Sequence, residues 1–94
     1  MAWALARIVA GEAPGCDMTA KLAVAHVHSR NAVWYGDAGP TAADLYVALR
    51  WREYPDPTHG AQYLIHPDDR ERMPWLSQRL AVFDCRHTQL EAWD

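Results

Sequence analysis

The sequence predicts an α+β fold that is mainly α, on three observations. Apolar residues recur at helical spacing in successive stretches of the first fifty residues. Each stretch is bounded by capping residues or by Pro and Gly. One short run, residues 61–66, is partly aromatic and β-branched and lies between Gly60 and Pro67, which suits a strand or hairpin arm.

Trp3, Leu5, Ile8 and Val9 form the first helical stripe. Pro14 disfavours the α region at Ala13, so this helix should end around residues 11–13. Asp17 or Thr19 can cap a second helix running to about Asn31, with Met18, Leu22, Val24, Ala25 and Val27 as its apolar residues. The stretch Tyr35-Gly-Asp-Ala-Gly-Pro40 is turn chemistry. Thr41 and Asp44 then have the spacing of a capping box, opening a third helix with Leu45, Ala48 and Leu49 inward. Residues 54–60, with two prolines and a glycine, break it. Asp68-Asp-Arg-Glu71 can cap one helical turn. Beyond Pro74 two readings stay open: Leu76, Leu80 and Phe83 fit a helix, with Thr88 opening another, whereas the alternation over residues 81–86 fits a strand.

With 94 residues the chain reads as one domain spanning 1–94. A chain of that size buries roughly two thirds of its unfolded surface. Half of the residues are apolar, so an aromatic-rich core is feasible, and the 22% of charged residues argues against disorder. The net charge of -3 leaves no electrostatic footprint for nucleic acid. No apolar stretch approaches the roughly 20 residues of a membrane span. A monomer is expected. The first seven residues lack the basic and apolar regions of a signal peptide. Cys16 and Cys85 read as free, mostly buried thiols; the alternative, a disulfide, would close a loop of about 70 residues worth about 4 kcal/mol. His26 and His28 point roughly 200° apart on a helix and cannot chelate one ion together, and no cysteine–histidine spacing suggests zinc. Neither a metal nor a cofactor is expected.

Chemistry centres on Glu12. It ends the first helix among Ile8, Val9, Ala10 and Ala13, with Gly11 leaving the backbone beside it open. Desolvation and the negative end of the helix dipole would both raise its pKa, as suits a general acid. By local pattern alone it reads more simply as a solvated helix-end carboxylate. The wider pattern adds weight. Ala23-Val-Ala25 follows Glu12 at a set spacing. Asp56, Pro57, Thr58, Gly60, Ala61 and Tyr63 form a second motif, continued by His66-Pro-Asp68 and Pro74-Trp75.

Together, in this order over residues 4–76, these motifs resemble the bacterial spore cortex-lytic enzyme and cell wall hydrolase family. The resemblance implies a lysozyme-like domain that cuts the peptidoglycan glycan strand between N-acetylmuramic acid and N-acetylglucosamine. It implies a lytic transglycosylase with Glu12 as acid and then base, and with no second enzymic carboxylate. The alternatives are muramidase-type hydrolysis, with Asp17, Glu53 or Asp56 as second carboxylate, and a non-catalytic glycan-binding module. Asp17 reads more simply as a helix cap and Asp56 as a turn former. Tyr63 is implied at the catalytic cleft, and Thr58 and His66 as substrate contacts. Lys21 would add charge at the groove if it faces it. Of Trp34, Tyr35, Trp51 and Tyr54, one or two are expected to stack on sugar faces. This sequence departs from the family in having Ala20-Lys21 where Gly-Gln is usual. It also lacks a long middle segment and a closing His-x-Phe-Tyr, so it reads as a short, divergent member. A wall-acting chain without its own export signal implies delivery by a phage or prophage, another export route, or a trimmed sequence.

Overall fold

A computed structural model describes residues 2–31 and 38–94. Trp34 and Tyr35, two of the expected sugar-stacking residues, lie outside them. Three α-helices come first: α1 (Ala2–Glu12), α2 (Met18–Arg30) and α3 (Ala42–Arg50). A three-stranded antiparallel sheet follows, built from β1 (Tyr63–Ile65), β2 (Arg79–Asp84) and β3 (Gln89–Trp93). Its order is β1-β3-β2, so the last strand is the middle one. Short 3₁₀ turns occupy Trp51–Glu53 and Pro67–Arg72.

The helix boundaries follow the local chemistry. Asp17 caps α2, its carboxylate accepting the Ala20 amide at 2.9 Å. Thr41 and Asp44 form the expected reciprocal capping box of α3. Helix α2 is buried nearly all round, as befits a central helix: Ala20, Leu22, Ala23, Val24, Ala25 and Val27 are all in the core. Helices α1 and α3 flank it, and Leu64, Phe83, Leu90 and Ala92 close the core from the sheet.

Helix α3 is rotated from the expected phase. Val47 and Ala48 face inward, but so does Asp44, while Leu49 is 69% exposed. The cause is Lys21. It was expected at the groove, yet it is buried and its ammonium bonds the Asp44 carboxylate and, at 3.0 Å, the Ala13 carbonyl. Burial pushes the Asp44 carboxyl up, but hydrogen bonds from Lys21 and Thr41, with the Lys21 charge, hold it below its ordinary value. Lys21 is therefore a structural cation, not a glycan contact. Trp3 likewise turns out to solvent.

The open choice beyond Pro74 resolves to a hairpin. Phe83 pairs with Leu90, and both are buried on the helix-facing side. Thr88 caps no helix; its carbonyl accepts the Cys85 amide at 2.9 Å and closes the turn. The hairpin also brings Cys85 to Cys16, and the two form a disulfide with Cα atoms 4.3 Å apart across 69 residues of sequence. The free-thiol reading is thereby corrected. The bridge ties the α1–α2 connection to the tip of the β2–β3 hairpin.

Candidate active site

Glu12 is the last residue of α1 and lies in a cleft of about 310 Å³. Four segments build this cleft. Glu12 comes from α1 and Asn31 from the end of α2. Gln62, Tyr63, Leu64 and Ile65 come from β1 and the residue before it. His66, Asp69 and Met73 form the wall around the second 3₁₀ turn. Partial burial raises the Glu12 pKa above its ordinary 4.5, opposed by the nearby charge of His66. A second cavity of about 320 Å³ has Leu5, Ile8, Trp51 and Arg52 in its lining, and no carboxylate. Of these two cavities, the first is the one that holds a carboxylate.

The segment preceding β1 is held by one carboxylate. Asp56 accepts the Thr58 amide at 2.8 Å, the Thr58 hydroxyl at 2.6 Å and the Gly60 amide at 3.1 Å. These bonds make it the turn former expected. It also pairs with Arg30 at 2.8 Å. Burial raises the Asp56 carboxyl, but the bonds from Thr58 and Gly60 and the Arg30 charge carry it below its ordinary value. His59 and Gly60 both adopt positive φ, 57° and 83°, to complete the turn. Arg30 further donates to the Ala61 carbonyl at 2.7 Å, and Asn31 to the Gln62 carbonyl at 3.1 Å. The end of α2 thus sets where Tyr63 emerges.

Of the residues singled out from sequence, Glu12, Tyr63 and His66 come together on one cleft. Thr58 does not. It is fully buried, its hydroxyl donating to Asp56 and accepting from Arg30 at 3.0 Å and from the Ala61 amide at 3.2 Å. Thr58 shapes the turn rather than touching a ligand. Trp51 lines the second cavity, edge-to-face with His26, and Tyr54 pairs with Tyr46 through their hydroxyls. Neither of these aromatic residues reaches the cleft. Glu53 forms an exposed pair with Arg50 and is no second carboxylate for Glu12. Within the protein, a methyl group at Gly11 would meet Ala38 at 3.9 Å, an ordinary contact.

Asn31, Asp69 and Met73 were missed as cleft residues. Asp68-Asp69 carried a signal, but only as a helix-capping pair; which of the two faces the cleft depends on the 3₁₀ phase that Pro67 starts.

No protein-family model matches the chain, and no curated protein matches it. Among solved structures it is similar to the catalytic domain of the Bacillus cereus SleB protein. The TM-score is 0.75 at 16% sequence identity, over 97% of this chain and 88% of that one. At that identity the likeness concerns the fold, and the chain has the α+β, lysozyme-like fold of that catalytic domain.

Proposed function

We propose that this chain cleaves the glycan strands of peptidoglycan as a lytic transglycosylase, with Glu12 as the acid and base. The observation that carries the reading is the Glu12 carboxyl itself. It is partly buried, raised in pKa by that burial, and shares its cleft with the Tyr63 and His66 of the second motif. The likeness in fold to a SleB catalytic domain supports the same substrate class.

The chemistry follows from a carboxyl whose burial favours its protonated form. Glu12 gives that proton to the glycosidic oxygen as the bond to the muramic anomeric carbon breaks. The substrate's N-acetyl group shares the developing positive charge. The carboxylate then accepts the proton of the muramic primary hydroxyl as that oxygen closes on the anomeric carbon, leaving an anhydro end. The Tyr63 hydroxyl serves to orient the Glu12 carboxyl or the N-acetyl group. One observation favours a second reading, hydrolysis: Asp69 lies on the same cleft and could activate a water.

Incubation with purified peptidoglycan, with Glu12→Gln as control, decides between them. Anhydro-muropeptides released by the wild type and not by the variant support the transglycosylase. Reducing-end products that also need Asp69 support hydrolysis. Binding without release by the wild type removes both and leaves a glycan-binding module.

A further inference from the structure

Glu91 is a buried charge for which the chemistry at Glu12 has no use. It sits at the centre of the middle strand, paired with Ile65 on β1 and Val82 on β2, and is 1% exposed. Its neighbours Leu90 and Ala92 belong to the core cluster, so strand alternation puts the Glu91 side chain on the opposite face of the sheet. Two hydrogen bonds reach it there, from Trp93 Nε1 at 3.1 Å to one oxygen and from Arg79 at 3.2 Å to the other, and Arg70 Nε forms an ion pair with the first oxygen at 3.1 Å. A carboxylate buried this fully and paired with half-exposed arginines is seldom more stabilising than apolar packing of the same volume; what it adds is a defined geometry.

The geometry defined is that of the cleft wall. Arg70 belongs to the 3₁₀ turn Pro67–Arg72, whose Asp69, with Met73 just beyond, faces Glu12 across the cleft. No residue of that turn is buried, so apolar packing does not fix its place. Within it, Arg72 and Asp69 pair at 3.8 Å, which ties the turn only to itself. Among the described residues, Arg70–Glu91 is the one side-chain ion pair that ties the turn to the sheet. Arg79 approaches the same carboxylate from β2, on the side of β3 away from β1.

We propose that Glu91, acting through Arg70, is the positioning residue of the cleft wall and sets how tightly a bound glycan is gripped, leaving proton transfer at Glu12 unchanged. The grip rests on the functional reading above; the tether itself does not. The two arginines separate positioning from mere stability. Arg70→Gln should speed amide exchange across residues 67–73 and raise KM on purified peptidoglycan about tenfold, with kcat within about twofold. Arg70→Lys should recover part of that KM. Arg79→Gln removes a contact of similar length to the same carboxylate, and should leave KM and exchange over 67–73 as in the wild type. Equal effects of the two Gln variants on KM, or unchanged exchange at 67–73 in Arg70→Gln, would overturn the proposal. A wild-type chain without turnover sinks the peptidoglycan reading instead, and exchange still decides the tether.

Discussion

The Lys21 ammonium joins the Asp44 carboxylate to the carbonyl of Ala13, the residue immediately after Glu12. One buried cation thus binds α2 to the start of α3 and to the end of the helix that carries the candidate acid. Both partners are almost without solvent, at 6% and 1% exposure.

Removing one partner strands the other. Lys21→Met should cost about 3–5 kcal/mol in urea unfolding, the usual penalty for an uncompensated buried charge. Adding Asp44→Asn to Lys21→Met should restore part of that loss. The pH dependence has a fixed sign. Asp44 is held below its ordinary 3.8 in the folded chain, so its stabilisation is present above that value and lost as pH falls through the folded one. Acid melts of the wild type should show this loss, and the double variant should show less of it.

Glu12→Gln should abolish glycan cleavage while leaving the chain no less stable. Burial makes the folded chain hold this proton more tightly than the unfolded chain does. The stability linked to Glu12 is therefore full below 4.5 and is lost as pH rises through the raised folded value. Gln never ionises, so melts taken from acid to neutral pH should diverge in favour of the variant. Activity should fall over the same rise in pH, and His66→Phe, which removes the opposing charge, should move that fall to higher pH. A shift to lower pH would contradict the electrostatics.

Thr58→Val tests whether the second motif is architecture. Thr58 is fully buried and its hydroxyl bonds Asp56, Arg30 and the Ala61 amide, so its loss should cost about 1–3 kcal/mol. At temperatures where the variant is folded, KM on peptidoglycan should match the wild type. A raised KM would return Thr58 to the list of glycan contacts.

Reduction of the Cys16–Cys85 bridge, or the double change to Ser, should destabilise the chain. For a loop of 69 residues the chain-entropy estimate is about 4 kcal/mol. Thermal melts with and without reductant measure it, and the doubly substituted chain should not respond to reductant at all.

Local chemistry made the helices legible in the sequence. Asp17, Thr41 with Asp44, and Pro14 are caps and stops whose effect is decided within a few residues, and all three act as expected. The cleft residues Glu12, Tyr63 and His66 were also within reach, because they lie in the two motifs that carried the resemblance. What was not legible depends on distant partners. The inward turn of Asp44 and the burial of Lys21 depend on each other across 23 residues. The phase of α3, and hence the exposure of Leu49, follows from that pair rather than from periodicity. Leu76, Leu80 and Phe83 fit a helix, and residues 81–86 a strand, until β3 lies beside them. The disulfide waits on the same hairpin.

The strand order carries a consequence for when the cleft can exist. β1, which presents Tyr63 and leads into His66, has β3 as its strand partner, and β3 lies at residues 89–93. During vectorial synthesis the helices and β1 leave the ribosome first, and β1 then has no ladder to join. Its edge is filled only when β3, made after both of the other strands, slots between β1 and β2, bringing Glu91 to Arg70 in the same step. A nascent chain stalled before residue 89 would therefore leave β1, with Tyr63, without its strand partner.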